Sequence, residues 1–290
     1  MLLLRKLSRN WQWVLINVLG LSLAYACVTL VFSFTTQELS YDKMHSKADR
    51  IYRVTTSSSD GFSTMHPARV WGKWVAQYPK EYPAIESFVR MVPFKKGVVE
   101  IGEHRFYSDH LYKVDPTFFD IYDFELLSGD PNSVLTQPFE AVISHSLALK
   151  YFGNLDVLGK SIAITHQQTD SADSYTIVGI MEDFPPLSHF HAEVLTTIPD
   201  MEVNNSWGYT YYLMQPNADV ARLQQTIQNK WNAGHLEGTR KLTLHFQKLT
   251  DIHLYSHKSR EIEPNGDIRS LILLSSGGMI ILFVALINFL

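Results

Sequence analysis

Two long apolar runs bracket a polar middle. The first, from Asn10 to Gln37, carries no charged residue, and no acidic residue precedes Glu38. A helix rises about 1.5 Å per residue, so about 20 residues cross a hydrocarbon core of about 30 Å, and this run has length to spare. The second begins after Arg269 and continues without charge to Leu290, with Gly277, Gly278 and Ala285 small enough for close helix packing. We therefore expect transmembrane helices at 11–36 and 270–290. Arg5, Lys6 and Arg9 precede the first run, and Trp11 and Trp13 stand at its basic end, where indoles favour the membrane interface. Basic flanks stay cytoplasmic, which puts a short N-terminus, 1–10, inside and residues 37–269 outside.

The polar stretch from Glu38 to Arg53 contains neither Gly nor Pro. It reads as a helical stalk, 38–50, prolonging the first span and turning into a strand near Ile51. Beyond it the pattern alternates between short strands and separated helices. Strands are expected at 51–56, 88–92, 98–101, 105–107, 141–143 and 209–214, with a hairpin of 161–165 and 175–181. Pro67 opens a helix carrying Val70, Trp71, Trp74 and Val75. Asp115-Pro116 reads as an N-cap and a first helical residue ahead of Phe118, Phe119, Ile121 and Tyr122. Ser144 caps a helix that ends at Gly153. Asp219 caps the clearest amphipathic helix, with Val220, Leu223, Ile227 and Trp231 on one face. Leu242, Leu244 and Phe246 alternate with polar residues as a half-buried strand. The mixture predicts an α+β domain, in one lobe or two, flanked by two transmembrane helices.

The apolar runs admit two other accounts. Ala24-Tyr25-Ala26 before Cys27 resembles a signal-peptide cleavage site, but the apolar run continues through Phe34, and Ala24 stands where a lipobox would have Leu. The second run could be a buried helix of a soluble domain; its length and lack of charge favour a span. The chain stops where that span would be reaching the cytoplasm, so we expect further segments beyond Leu290.

Charge narrows the function classes. The chain has 25 basic and 29 acidic residues, three of the basic ones ahead of the first run, so the remainder carries a net charge near −7. That argues against nucleic acid as a partner. The single cysteine, Cys27, excludes an intramolecular disulfide, and an exported domain without disulfides suits a bacterial periplasm.

Candidate chemistry is hinted at and does not hold. Gly153-Asn154-Leu155-Asp156-Val157-Leu158-Gly159-Lys160-Ser161 resembles a phosphate-binding loop, but it has five residues between its glycines and follows a helix instead of a strand. His253 and His257 have zinc-protease spacing, but Leu254 stands where the general base would be. His189 and His191 could face one way on an extended segment. The acid pairs Asp120 with Asp123 and Glu182 with Asp183 read as solvated turns. There is no Gly-x-Ser-x-Gly elbow. We therefore assign no catalytic, cofactor-binding or metal residue, expect no cofactor, and expect the chain not to be an enzyme.

An ordered series of motifs resembles a known family. Arg9-Asn10 with Ile16-Asn17-Val18-Leu19-Gly20-Leu21 is similar to the first-span signature of FtsX-like, MacB-like permease subunits of ABC transporters, of the kind abundant in Bacteroidota. Glu38-Leu39-Ser40-Tyr41-Asp42 and Ala48-Asp49-Arg50-Ile51-Tyr52-Arg53-Val54 resemble the segment leaving the membrane. Phe124 to Asp130, Tyr151-Phe152-Gly153 with Leu158-Gly159-Lys160, and Val178 to Phe190 resemble motifs of the MacB-like periplasmic core domain. Thr250 to Tyr255 and Ile287-Asn288-Phe289 complete the series.

These motifs are structural in the family, so no active-site residue carries over. The resemblance implies a dimerising, multi-pass inner-membrane subunit, homo- or heterodimeric, driven by a separate cytoplasmic ATPase. A periplasmic adaptor could join it, and its periplasmic domain would transmit motion for export or mechanotransmission. The N-terminus is shorter than the family's, and its later spans are missing. The rival reading is a two-span membrane sensor with a periplasmic ligand-binding domain, which shares the plan span, exported domain, span.

Overall fold

The computed structural model describes residues 11–59, 63–94, 97–165, 172–199, 205–234 and 241–289. The chain forms two compact units. One is built on the two long helices and takes in Tyr41, His253–Tyr255 and the segment from Asn265; the other is a sheet domain, Asp42–Ile252 with Ser256–Pro264.

In the helical unit, α1 spans Trp11–Glu38. The last helix of the chain, Ile268–Phe289, packs against it. Thr35 Oγ1 and Ser275 Oγ share a hydrogen bond of 3.0 Å. Gly278 lies against Val31, whereas Gly277 faces open space. Apart from such contacts the apolar side chains of both helices point outward: Leu30, Phe32 and Leu273 are each more than 70% exposed. A buried core helix would not leave them so, and a lipid-facing one would.

The sheet domain begins with β1 (Ile51–Ser59), β2 (Thr64–Met65) and β3 (Val70–Trp71), followed by the short helices α2 (Gly72–Val75) and α3 (Tyr78–Glu81). Next come β4 (Ile85–Pro93), β5 (Gly97–Ile101), β6 (His104–Ser108), β7 (Leu111–Val114), α4 (Phe118–Ile121) and β8 (Leu126–Ser128). Then follow β9 (Glu140–Ser144), α5 (His145–Phe152), β10 (Ser161–Thr165), β11 (Ala172–Met181), β12 (Val194–Thr197) and β13 (Trp207–Met214). The sheet domain's series ends with α6 (Val220–Gly234) and β14 (Lys241–Lys248); in chain order the short helix α7 (Ile252–Tyr255) follows, and the helical unit's last helix, Ile268–Phe289, is α8. One mixed sheet runs through the domain in the order β14-β1-β13-β4-β7-β12-β9-β11-β10-β5-β6. Its neighbours are antiparallel except β11 with β9 and β12 with β7. The α+β expectation is met, and the continuous sheet makes the domain one body.

Strand β13 shows how the sequence serves both faces. Tyr209, Tyr211 and Leu213 enter a central core with Phe118, Tyr122 and Phe190. Tyr212 and Met214 enter a second one with Leu223, Ile227 and Trp231 of α6. A strand covered on both sides needs no polar alternation, and all of its residues after Trp207 are buried.

Helix α5 forms as the sequence requires. Ser144 Oγ accepts the Leu147 N–H at 3.3 Å, and Gly153 closes it at φ 72°, a conformation costly for a residue with a Cβ. Asp219 Oδ1 likewise accepts the Arg222 N–H ahead of α6. The polar loop expected between β10 and β11 lies mostly outside the described residues.

Three expectations are corrected. The helical stalk 38–50 does not exist: α1 ends at Glu38, turns follow, and only Ala48–Arg50 is helical, as one 3-10 turn. Asp42 sits at φ 58°, incompatible with an α-helix. Ser40, Tyr41, Asp42 and His45 are weak helix formers, so hydrogen bonds to the sheet domain decide the conformation from Asp42 onward. Second, Pro67 opens no helix. Val70 and Trp71 pair with Gly208 and Trp207 as a strand, and Pro79 lies inside α3. Third, Asp115 does not cap α4 with its side chain. Its carboxylate instead takes the Arg90 backbone N–H at 2.7 Å, Nε at 2.8 Å and Nη2 at 2.6 Å, a buried bidentate pair.

The separate core of the sheet domain predicts that residues 36–268, expressed without the long helices, form a soluble domain that unfolds cooperatively and is indifferent to reducing agent. Circular dichroism during urea titration checks this; a requirement for detergent would contradict it.

Candidate functional site

The residues singled out for chemistry are occupied in structural roles. In the glycine loop, the Gly159 N–H donates to Ile177 O at 2.8 Å and the Lys160 N–H to Val157 O at 3.0 Å, so those amides are not offered to a phosphate. Asp183 accepts from the Ser146 backbone N–H at 3.0 Å and from its hydroxyl, serving the first turn of α5. Asp123 is no simple solvated turn: its carboxylate accepts the Ser46 N–H, and its own N–H donates to His45 Nδ1 at 3.2 Å. Lys47 Nζ donates to Asp120 O at 2.6 Å. Cys27 lies part-buried in α1. Among the described residues, no group of three or more His, Cys, Asp or Glu is placed to hold a metal ion.

What the structure does assemble is a polar clamp within the sheet domain. It holds the two chain segments that adjoin the long helices in sequence. One segment of turn and bend, Leu187–His191, grips both. On the entry side, the Asp42 N–H donates to Leu187 O at 2.8 Å. Asp42 Oδ1 accepts the His189 backbone N–H at 3.1 Å and Nδ1 at 2.8 Å. On the exit side, Glu263 accepts the His191 backbone N–H at 2.7 Å and Nδ1 at 3.0 Å. His189 and His191 thus each chelate one carboxylate through a backbone and a ring N–H. The extended segment expected at this pair is instead turn and bend, and the two rings take separate carboxylates, Asp42 and Glu263.

Behind His189 the pairing continues inward. Its Nε2 lies 2.8 Å from the Tyr211 hydroxyl. Burial pushes the Tyr211 phenol well above its usual pKa, so it keeps its proton and donates. His45 packs against Tyr122 and edge-on to Phe124, and burial lowers its pKa to about 4, outweighing the attraction of Asp42.

The exit segment has a second anchor. Arg53, fully buried on β1, donates to Glu261 at 2.5 and 2.9 Å, to Gln247 at 2.9 Å and to Ser256 at 2.8 Å. Tyr209 OH donates to Arg260 O at 2.8 Å, and the backbones of His66, Ala68 and Ser259 exchange bonds of 2.9 Å. Sequence reasoning missed Arg53 and both glutamates. The available signal was a lone arginine in an otherwise buried strand, which calls for a carboxylate partner somewhere.

The helical unit carries its own polar contact. Glu38, the last residue of α1, meets His253 Nε2 at 2.9 Å, and the His253 ring stacks on Tyr41 at 3.4 Å. Gly266 permits this approach: a Cβ there would lie 2.8 Å from Glu38 Oε2 and 2.9 Å from His253 Nε2. His253 is therefore a partner of Glu38 and Tyr41.

The profile of the MacB-like periplasmic core domain family matches residues 14–230. A domain of a protein described as a permease, from Porphyromonas gingivalis, superposes with a TM-score of 0.58 at 22% identity, covering 70% of this chain and 91% of that one. The extracellular domain of the noncanonic ABC-type transporter YknZ from Gram-positive bacteria gives 0.50 at 14% identity, over 67% and 99%. No curated protein matches the chain.

Proposed function

The chain belongs to the MacB-like periplasmic core domain family and is an ABC-transporter permease component, and we propose that it couples ATP hydrolysis by a separate cytoplasmic ATPase to movement of its periplasmic domain. The observation that carries this reading is the family match over residues 14–230, which starts inside α1 and extends through most of α6. The two apolar helices beside a periplasmic-type domain make it a membrane protein. The basic residues ahead of α1 support a cytoplasmic N-terminus and a bacterial inner-membrane location. The subunit works as a homo- or heterodimer, with or without a periplasmic adaptor.

The missing helical stalk changes the proposed mechanism. Movement is carried by short linkers clamped through Asp42, Glu261 and Glu263, and not by a rigid helix prolonging α1. A charge-assisted hydrogen bond to a buried partner holds its geometry as a packed contact does, which lets a non-helical linker transmit displacement.

Purification of the full-length protein from its native cells in mild detergent tests the reading. An ABC-type ATPase should co-purify in near-stoichiometric amount. Recovery of a histidine kinase or other signalling protein in its place, with no ATPase, would overturn it in favour of the two-span sensor.

A further inference from the structure

We propose that His191 and Glu263 form an acid-tightened clasp: protonation of His191 fastens the exit segment, Ser256–Pro264, to the segment that also holds Asp42. The domain's grip on its linkers then strengthens as the surroundings acidify.

The geometry separates two histidines that look alike. Both present a backbone N–H and a ring Nδ1–H to one carboxylate, which fixes the proton on Nδ1 and leaves Nε2 to decide the rest. Nε2 of His189 faces a hydroxyl, Tyr211, that can donate to it. The printed ring bonds of His191 run from Nδ1 to the two Glu263 oxygens, each at 3.0 Å, and the Pro185 backbone carbonyl adds a lesser influence that favours the charged ring. A carbonyl and a carboxylate only accept, so both favour the charged ring, which has two N–H groups to give where the neutral ring has one. Protonated His191 therefore holds Glu263 on the exit segment more strongly than neutral His191 does.

The charges around the ring favour the cation. The ionisable groups facing it are Glu263, Asp42 on the entry segment, and His110, whose Nδ1 lies 3.3 Å from His191 O and 3.9 Å from Glu263. Two of the three are carboxylates. His191 is raised above its ordinary value, first by its bond to Glu263, against the opposing effect of burial. For Glu263 burial acts upward, but its bonds to His191 and the nearby His110 outweigh it and hold the carboxyl low. The signs follow. Stabilisation from His191 is full below its unfolded pKa of about 6.5 and is lost as pH rises through the raised folded value. That from Glu263 is present above its unfolded value and is lost as pH falls through the lowered one. Both are in force in mildly acid medium, and the first is lost toward alkaline pH. The side chain is one-third exposed, so protons reach it without unfolding.

Amide hydrogen exchange of the full chain in lipid nanodiscs tests the clasp. Rates are corrected for intrinsic pH dependence and referenced to a peptide from β13. Protection of residues 256–264 should be severalfold greater at pH 6 than at pH 8, because the folded state holds the His191 proton more tightly than the opened one. His191→Gln, which keeps a donor toward Glu263 but cannot charge, should show no such pH dependence. Should that variant fold poorly, Glu263→Gln should remove the dependence by removing the anion. Equal protection at both pH values in the wild type, or a dependence that survives either substitution, would overturn the proposal.

Discussion

Glu261→Ala should destabilise the sheet domain by about 3–5 kcal/mol, the range found when one partner of a buried ion pair is removed. Arg53 has no exposed side-chain surface, so its guanidinium cannot turn to water for compensation. Gln247 and Ser256 would still accept from it, but neither carries charge. Its neighbours on β1 leave no room to move, because Ile51 and Val54 are fully buried and Val54 and Thr55 pair with Phe246 and His245. Urea unfolding of the 36–268 segment measures the effect. The double variant Arg53→Met/Glu261→Leu should recover part of the loss, because replacing both charges removes the desolvation cost as well as the pairing. A loss below about 1 kcal/mol for Glu261→Ala would place Arg53 in contact with solvent or another anion, contrary to the structure.

His45 should make the domain acid-sensitive. Its folded pKa of about 4 lies below the ordinary 6.5. Above pH 6.5 both states are neutral and nothing is contributed. As pH falls below 6.5 the unfolded chain binds a proton that the folded chain refuses. Stability therefore drops until about pH 4 and then levels off. A shift of this size corresponds to about 3 kcal/mol at the acid end. His45→Gln preserves an acceptor for the Asp123 N–H and removes the titration. The difference in unfolding free energy between wild type and variant should be small at pH 7.5 and grow by about 3 kcal/mol toward pH 4 in favour of the variant. Parallel stability curves would show that His45 is hydrated in the folded domain. The effect runs opposite to the local clasp at His191, so global unfolding and segment protection should respond to acid in opposite directions.

The sequence by itself determined what depends on neighbours along the chain. The absence of charge from Asn10 to Gln37 and from Ser270 onward marked α1 and α8, because a membrane span is a matter of length and composition. Ser144 and Gly153 bounded α5, and Val220, Leu223, Ile227 and Trp231 marked α6, because caps and helical faces are local. The hairpin β10–β11 followed from its polar loop.

Only the tertiary structure decided the rest. Leu111–Val114 and Val194–Thr197 went unread as strands. They are four-residue strands, buried throughout and paired in parallel, so they show no alternation to find. The buried Lys113, with its ammonium 4.9 Å over the Phe94 ring, also disguises the first as surface. The stalk failed for a related reason. Nothing between Glu38 and Ala48 forbids a helix, but Asp42 gains three hydrogen bonds from Leu187–His191 by leaving it. The clamp was legible least of all. Arg53 and Glu261, or His191 and Glu263, lie far apart in sequence, and no spacing rule links residues that only the closing of the sheet brings within 3 Å. His189, His191 and His253, which resembled metal ligands in the sequence, therefore became carboxylate partners once folded, because the fold supplied a nearby anion to each of the three.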